Sequence, residues 1–351
     1  MKILITGNMG YVGPAVTERL RRAYPEARLI GLDMGYFAHC LSGAAFPERR
    51  LDAQCIGDVR TVGPELLEGV DAVVHLAAIS NDPMGNAFEE VTREVNYAAT
   101  VRLARLARAA GVRSFVFASS CSVYGFAEGD ARTETDPLNP LTAYARSKID
   151  AERELADLAD RDFVVTSLRF ATACGMSERV RLDLVLNDFV AGAVAARRIA
   201  ILSDGTPWRP LIHIADMARA IEWGLGRTAD TGGAFLAINA GSDEWNFQVA
   251  ELAAAVARAV PGAEVSLNPH AAPDRRSYRV SFELFRRLAP RHQPQVDLPE
   301  AIAGLVRGLE TMGFDESAYR SSRFVRLRAL AALRAQGMLD ERLAWVRRAA
   351  A

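Results

Sequence analysis

Apolar residues in the first half of the chain follow two alternating patterns. Short and almost continuous apolar runs, typical of strands that helices cover on both faces, occur at residues 2–6, 28–33, 72–76, 114–119 and 163–170. Segments with apolar residues at helical spacing occur between them, at residues 14–22, 88–110 and 144–160. This alternation predicts an α/β domain over residues 1–170, built on a doubly wound parallel sheet.

The second half of the chain is less regular. Helical spacing recurs at residues 183–198 and 246–260, and short apolar runs occur at residues 200–202 and 234–239. We therefore predict a smaller α+β substrate domain over residues 171–351. No linker rich in Gly, Pro or Ser separates the halves, so we expect them to pack closely. The Arg-rich tail, residues 318–349, is predicted to be helical with a solvated amphipathic face.

The composition is that of an ordinary globular chain. Of 351 residues, 50% are apolar and 24% are charged, which provides for a sizeable core and excludes a mainly disordered chain. The 42 Lys and Arg residues balance 43 Asp and Glu residues, so the net charge is −1. Because nucleic-acid-binding proteins usually carry a strong basic excess, we expect no nucleic-acid partner.

Cysteine spacing and apolar run length argue against disulfides, a structural metal and a membrane partner. Cys40, Cys55, Cys121 and Cys174 form no CxxC pair and lie near no His cluster, so we expect no metal. No apolar run approaches the ~18 residues that a membrane span needs. The first residues form a strand and not a signal peptide. We expect a cytoplasmic enzyme or binding protein.

A glycine-rich turn joins the first predicted strand to the first predicted helix. In a GxxGxxG pattern the first glycine allows a tight turn, the second lets a pyrophosphate approach the backbone, and the third lets the helix pack close to the strand. The unpaired N–H groups at the start of the helix favour phosphate binding. A lone turn of this kind is weak evidence, but here strand, turn and helix occur in the order of a Rossmann-type dinucleotide site. The residues predicted at the cofactor from this turn are Gly7, Met9, Gly10, Tyr11, Val12 and Gly13.

Acidic and small residues further along favour NAD as the cofactor. Asp33 ends the second strand, where a carboxylate can hold both ribose hydroxyls and would repel the 2′-phosphate of NADP. Asp58, followed by Val59, ends another strand-like segment and is either an adenine contact or an N-cap. The fourth strand is followed by small residues over which the cofactor can pass: Leu76, Ala77 and Ala78.

A tyrosine and a lysine give the candidate chemistry. Tyr144 and Lys148 are one turn apart and share a face of the predicted helix. Lowering a phenol pKa from near 10 by about three units takes roughly 4 kcal/mol, which a neighbouring ammonium and a positive nicotinamide ring can supply. Ser119 and Ser120 end the fifth strand, at the edge where such sheets bind ligands. The YxxxK spacing alone also fits a surface pair; with the serines it predicts a proton relay for oxidising a secondary alcohol.

With these motifs the chain resembles the extended short-chain dehydrogenase/reductase family, which includes the nucleotide-sugar epimerases and dehydratases. The matching runs lie at residues 5–13, 74–78, 119–125, 144–148, 168–170 and 209–216. Their number and order make the resemblance highly specific from residue 3 to about residue 216, and it is thinner beyond.

The resemblance implies roles for individual residues. Tyr144 would be the base, Lys148 would lower its pKa and hold the nicotinamide ribose, and Ser120 would hold the sugar hydroxyl. Asn96 matches a position near the cofactor, and Arg209 matches one that binds the diphosphate of the substrate. The further residues expected at NAD are Asp33, Asp58, Val59, Leu76, Ala77, Ala78 and Ser119. Those expected at a nucleoside-diphosphate sugar are Ser120, Ser122, Asn187, Arg209 and Arg276.

Several weaker candidates have a structural alternative. Arg276 is either an anion-binding residue or a surface charge, and Arg179 and Arg181 are weaker candidates for the same role. Asp216 is expected to be structural, as a helix cap. Cys121 is either a reactive thiol or a small buried residue.

The residues after the catalytic serine favour an epimerase. Dehydratases of the family carry an acid two residues after the catalytic Ser or Thr, where this chain has Ser122, preceded by Cys121. Neither is a good general acid at pH 7. We therefore expect NAD-dependent oxidation at C4 of a nucleoside-diphosphate sugar and return of the hydride to the other face, as in a 4-epimerase. The alternatives are a 4,6-dehydratase, a 4-dehydrogenase, a 4-keto reductase and a catalytically silent NAD-sensing protein.

The resemblance also implies a homodimer formed by the helices that hold Asn96 and Tyr144. The candidate contact positions are Val101, Leu103, Leu106, Ala151, Leu155 and Leu158. The alternative is that these side chains pack within the subunit.

Overall fold

The computed structural model describes residues 1–267 and 276–346, and its centre is a seven-stranded parallel sheet. The strands are β1 (Lys2–Thr6), β2 (Arg28–Asp33), β3 (Ala53–Ile56), β4 (Ala72–His75), β5 (Ser114–Ser120), β6 (Val164–Phe170), β7 (Thr172–Cys174), β8 (Arg198–Ile201), β9 (Trp208–His213), β10 (Phe235–Ala240), β11 (Asn246–Gln248) and β12 (Glu264–Leu267). The order in the large sheet is β10-β6-β5-β4-β1-β2-β3.

Helices cover both faces of this sheet. They are α1 (Gly13–Ala23), α2 (Asp82–Ala87), α3 (Glu89–Arg93), α4 (Ala99–Ala109), α5 (Ala143–Leu158), α6 (Val185–Ala196), α7 (Ile214–Gly226), α8 (Val249–Ala259), α9 (Glu283–Leu288), α10 (Leu298–Thr311) and α11 (Arg326–Ala335). Helices α1 and α7 pack on one face, and α4 and α5 pack on the other. Because both faces are covered, the central strands are mostly apolar, and the predicted doubly wound α/β fold is confirmed.

The long helix predicted at residues 88–110 is confirmed over residues 89–109, with one unexpected feature: α3 continues through one π-helical turn at Glu94–Ala98 into α4. Phe88, whose backbone is not helical, separates this helix from α2. Asn96 lies in the π turn, where its buried amide binds both backbone groups of Ile79. The turn thereby fixes the loop that follows β4, a use of π turns that is common near functional sites.

The second half forms two small sheets, β11-β9-β7 and β12-β8, packed with α6, α8 and α10 around a separate core. Residues 246–248 are a strand and not the start of a helix, because α8 begins only after a capping box formed by Gln248 and Glu251. Strand β10, expected in the smaller domain, instead pairs with β6 and extends the large sheet. The domain boundary at residue 170 stays a prediction, although β10, which lies beyond it, belongs to the large sheet.

The tail is only partly helical. Its described part contains the 3₁₀ turn Tyr319–Ser321 and the α-helix Arg326–Ala335, and Leu339 and Trp345 then form an antiparallel bridge. Residues 347–349 of the predicted helix lie outside the described residues. One face of α11 is exposed, whereas leucines of the other face and of the following segment pack with α2 and α3 in a cluster that contains Met84, Val91, Leu330, Leu333, Leu339 and Leu343.

The candidate dimer positions pack within the subunit. Val101, Leu103, Ala151 and Leu155 are buried, and Leu106 and Leu158 are half-buried. Five of these side chains belong to or pack against the core between α4, α5 and the sheet. Val101 is also buried. A homodimer stays a prediction, and other side chains of α4 and α5 would have to form it.

No helix within residues 1–267 and 276–346 combines the length and the apolar character needed to cross a bilayer. The cytoplasmic location stays a prediction.

The docked tail predicts a large loss of stability on replacing Leu330 by Ala. Leu330 is fully buried against the first half of the chain, so Leu330→Ala should lower the free energy of unfolding by about 2–5 kcal/mol. Met338→Ala changes an exposed side chain of the same segment and should change the free energy of unfolding by no more than about 0.5 kcal/mol. Urea denaturation of the full chain measures both; equal small losses would contradict the docking.

Candidate active site

A cavity of about 1020 Å³ runs along the carboxyl ends of the large sheet and between the two halves of the chain. This is the edge at which open parallel sheets bind ligands. Most residues predicted at the cofactor or substrate line it: Gly7, Gly10, Tyr11, Val12, Gly13, Asp33, Asp58, Val59, Leu76, Ala77, Ala78, Ser119, Ser120, Ser122, Tyr144, Lys148, Arg209 and Arg276.

Met9, Asn96 and Asn187 lie behind the wall of the cavity. The Met9 backbone N–H donates to Asp33, and Asn96 holds the Ile79 backbone. Asn187 is fully buried; its amide accepts from the Gly175 N–H and donates to the Tyr11 hydroxyl and the Arg181 carbonyl. The protein itself binds the amide groups of Asn96 and Asn187. The structure therefore gives these residues a positioning role, without the predicted direct contact to cofactor or substrate.

The glycine-rich turn lies tightly against the sheet. Gly7 has φ +74°, and a Cβ atom there would lie 2.5 Å from the Ala77 nitrogen. A Cβ at Gly13 would lie 2.0 Å from the Asn8 carbonyl oxygen. Side chains at either position would push the turn away from β4 or from α1. The turn thus forms a close backbone cradle at the start of α1, which suits a pyrophosphate.

Two carboxylates lie beside this cradle. Asp33 accepts from the N–H groups of Gly35 and Met9, at 2.7 and 3.0 Å, while burial raises its pKa. Held in this way at the end of β2, it suits the two hydroxyls of a ribose. Asp58 caps the short helical turn Val59–Thr61 and pairs with Arg60. The cap proposed as an alternative for Asp58 is therefore present, and the residue lines the cavity as well.

Tyr144 stands in the first turn of α5, near the end of β5. Thr142 caps this helix by accepting from the Ala145 N–H at 3.1 Å, and its hydroxyl donates to Asp82 at 2.7 Å. The helix start is thereby tied to α2, and Tyr144 faces Ser120 across the cavity wall. Burial raises the pKa of Tyr144 to about 12, an effect that the Ser120 hydroxyl partly offsets.

Lys148 is buried one turn beyond Tyr144. Its Nζ donates to the Ala118 carbonyl at 2.7 Å and lies 5.6 Å from the centre of the Tyr144 ring. Burial lowers the pKa of Lys148 to about 7, although Glu152 acts in the opposite direction. In the protein without its cofactor, the phenol is therefore protonated at neutral pH; the other expected contribution, the positive nicotinamide ring, comes only with NAD.

Glu152, a further turn along α5, holds this helix to the sheet. Its carboxylate accepts from the hydroxyls of Ser119 and Ser167 at 2.6 and 3.0 Å. It also pairs with Arg169 of β6 at 2.7 Å, and both side chains are almost completely buried. Ser119 thus presents only its backbone side to the cavity, while its hydroxyl anchors α5.

The two residues after Ser120 differ in their surroundings. Cys121 is fully buried outside the cavity, where its thiol donates to the Arg169 carbonyl and burial raises its pKa far above the usual range. The buried alternative therefore holds for Cys121. Ser122 lines the cavity, and its Oγ is buried with no hydrogen-bond partner among the described residues. Such an atom suits a ligand hydroxyl.

Charged residues mark the part of the cavity that the second half contributes. Arg209 of β9 and Arg276 both line it, and Arg209 donates to the Arg276 carbonyl. Arg276 also pairs with Asp82 at 3.2 Å. Among the weaker candidates, Arg181 lines the cavity and pairs with Asp183, while Arg179 is fully buried against Glu48. Asp216 is structural, because it accepts from the N–H groups of residues 295 and 296. It is not the expected helix cap, since His213 caps α7.

Sequence reasoning missed the residues that reach the cavity from distant segments. They are Asp82, Asp183 as the partner of the candidate Arg181, the pair Asp188 and Arg320, and Arg326, Leu327 and Arg328 from the tail. A helix-capping Asn-Asp-Pro sequence marked the start of α2, but no local pattern marked the tail residues. Within residues 1–267 and 276–346, no group of three or more His, Cys, Asp or Glu side chains is placed to hold a metal ion.

The buried ion pair of Glu152 and Arg169 predicts that Glu152→Gln strongly destabilises the protein. The change leaves the Arg169 guanidinium buried without its charged partner, which should lower the free energy of unfolding by about 3–5 kcal/mol. Glu154→Gln on the same helix removes an exposed pair with Arg105 and should cost less than about 1 kcal/mol. Urea denaturation distinguishes the two variants, and similar losses would show that Glu152 does not anchor α5.

The low pKa of Lys148 predicts a pH-dependent stability. An unfolded lysine titrates near 10.4, whereas folded Lys148 titrates at about 7, so the unfolded chain binds more protons between these values. The contribution of Lys148 to the free energy of unfolding therefore rises with pH from about 7 to about 10 and is constant below about 7. In NAD-free protein, the wild-type free energy of unfolding minus that of Lys148→Met should increase over this window. A constant difference would contradict the burial of a neutral lysine.

Comparisons with known proteins agree with the resemblance seen in the sequence. The sequence model of the NAD dependent epimerase/dehydratase family matches residues 3–241. YtcB of Bacillus subtilis, named as an uncharacterized UDP-glucose epimerase, is 31% identical over 250 residues, which are 67% of this chain and 77% of that protein. The dTDP-glucose 4,6-dehydratase of Streptomyces griseus is 28% identical over 312 residues, which are 87% of this chain and 92% of that protein.

A solved structure extends the likeness to three dimensions. MoeE5 in complex with UDP-glucuronic acid and NAD matches with a TM-score of 0.75 and 25% identity, over 89% of this chain and 99% of MoeE5. The glycine cradle, the ribose carboxylate Asp33 and the residues Ser120, Tyr144 and Lys148 fit such a dinucleotide. From its match over residues 3–241, and with these residues along one cavity, the chain belongs to the NAD dependent epimerase/dehydratase family and is an NAD-dependent enzyme.

Proposed function

We propose that this enzyme is a nucleotide-sugar 4-epimerase, which oxidises C4 of a nucleoside-diphosphate sugar and then reduces it from the other face. The observation that carries the proposal is the placement of Ser120, Tyr144 and Lys148 along one cavity wall, with no carboxylate at the two positions that follow Ser120. The site can therefore move a proton on and off a sugar hydroxyl, but it lacks the family's acid for eliminating water.

Proton transfer begins at Tyr144. Its Oη takes the proton of the C4 hydroxyl, while the Ser120 Oγ holds that hydroxyl by a hydrogen bond. When bound, NAD supplies the hydride acceptor, the later hydride donor and a positive ring. A phenolate at Tyr144 and an ammonium at Lys148 stabilise each other across 5.6 Å from ring centre to Nζ. On the return step the same Tyr144 Oη gives the proton back to the C4 oxygen.

The diphosphate of the substrate would lie against Arg209 and Arg276. Both line the cavity on the side of the second half, and a guanidinium can bind two phosphate oxygens at once. Ser122 offers its unpartnered hydroxyl to the sugar. Asn187 supports this half indirectly by fixing the Gly175 N–H and the Tyr11 hydroxyl.

The relatives support the reaction class and leave one alternative. YtcB is named as an epimerase, and the relative from Streptomyces griseus is a 4,6-dehydratase. Asp82 is the observation that favours a dehydratase, because it is a carboxylate of the cavity and raises the pKa of the nearby Tyr144. However, both oxygens of Asp82 are already bound, one by Thr142 and the other by Arg276. A carboxylate held in these two contacts is poorly placed to protonate a leaving group of the substrate, so the epimerase is favoured.

A panel of UDP-, GDP-, CDP- and dTDP-sugars tests the proposal. The wild type should interconvert two 4-epimers of one substrate without added cofactor. Tyr144→Phe should keep its bound NAD but lose about 100- to 10,000-fold in kcat. Tyr97→Phe, which removes the hydroxyl that donates to Glu154 outside the cavity, should retain full activity. Products identified by NMR and cofactor content after acid release are the measurements.

Other outcomes of the panel contradict the proposal in distinct ways. A 4-keto-6-deoxy product would show a dehydratase, and stoichiometric consumption of NAD or of NAD(P)H would show a net dehydrogenase or a keto reductase. Full activity of Tyr144→Phe would remove Tyr144 from the base role. Conversion of no sugar would leave the silent NAD-sensing protein.

A further inference from the structure

A buried arginine from the tail reaches the cavity without a complete set of partners. Arg326 is the first residue of α11, is 1% exposed and lines the cavity. Its Nη2 donates to the Arg179 carbonyl at 2.7 Å, and its guanidinium lies 4.5 Å from the centre of the Phe37 ring. Its Nη1 is buried with no hydrogen-bond partner among the described residues. An orphaned donor of this kind requires an explanation.

The charges around Arg326 do not balance in the protein alone. Arg179 pairs with Glu48, and Arg181 pairs with Asp183. Arg326 is a third cation near these pairs. Burial lowers its pKa to about 10, an effect that Cys40 and Asp183 only partly offset. Burying a guanidinium without a counter-charge is costly. The surroundings therefore favour an anionic ligand at this point of the cavity.

A short chain of hydrogen bonds connects Arg326 to the glycine-rich turn. The Ser177 hydroxyl donates to the Tyr11 carbonyl at 2.8 Å and accepts from the Arg179 N–H at 3.1 Å. The carbonyl of Arg179 then accepts from Arg326. Because Tyr11 belongs to the turn that cradles phosphate, Arg326 lies on the cofactor side of the cavity. Arg209 and Arg276 mark the other side.

We infer that Arg326 binds the pyrophosphate of the dinucleotide from the side opposite the N-terminus of α1. The cofactor would then be held between the first and the last described helices of the chain. Arg326 lies outside residues 3–241, the part that matches the family. The inference rests on the NAD dependence of the family and adds to the proposed function a reason why NAD stays bound through a redox-neutral cycle.

The test measures binding and not turnover. Arg326→Met should raise the Kd for NAD and for ADP-ribose, which has the same pyrophosphate, by about 10- to 100-fold, because a hydrogen bond to a charged group is lost. The Kd for UDP, which probes the diphosphate site of the substrate, should stay within about twofold. Arg334→Met removes a positive charge from the exposed side of the same helix and should change none of these values. Calorimetry on full-length protein stripped of NAD supplies the constants.

Two outcomes would decide against the inference. An unchanged NAD affinity in folded Arg326→Met would remove Arg326 from the cofactor site. An equal loss for UDP would assign the residue to the substrate instead. If Arg326→Met does not fold, Arg326→Lys, which keeps the charge but loses the planar fork, should still weaken NAD and ADP-ribose more than UDP. Failure of the sugar panel would not affect these binding measurements, so the two ideas fail separately.

Discussion

The contact between the Glu152 carboxylate and strands β5 and β6 is the constraint on which the active site depends. Three side chains of the sheet bind this one carboxylate, and it lies one turn from Lys148, which lies one turn from Tyr144. Because a helix is rigid over two turns, fixing Glu152 fixes the height and rotation of both residues above the sheet. Ser120, at the end of β5, then needs no support of its own to face the tyrosine.

Burial also leaves Tyr144 and Lys148 unsuited to proton transfer while no cofactor is bound. Desolvation raises the pKa of Tyr144 to about 12 and lowers that of Lys148 to about 7, so the phenol keeps its proton and the lysine is only partly charged. A positive charge entering with the cofactor changes this balance in favour of the phenolate. With Tyr144 as the proposed base, proton transfer would depend on the bound dinucleotide.

Local sequence predicted the parts of the molecule that local physics determines. The strand from Lys2 to Thr6, the glycine turn and the helix carrying Tyr144 follow from apolar pattern and residue type, and the structure has them within a residue or two. The sequence did not predict the direction of the Asn96 and Asn187 side chains, because their partners come from other segments. Arg326 gave no signal among many arginines, since its burial depends on contacts with residues far away in the sequence.

The position of the tail has a consequence for the order of assembly. The Trp345 indole donates to the Met34 carbonyl, next to Asp33, and Tyr36 donates to the carbonyl of Leu343. During translation, the strands of the central sheet emerge from the ribosome long before these residues do. A nascent chain therefore lacks the part of the cavity wall that Arg326, Leu327 and Arg328 supply until the last helix docks. Cleavage ahead of Arg326 with loss of the tail would remove this part of the wall and leave the central sheet in place.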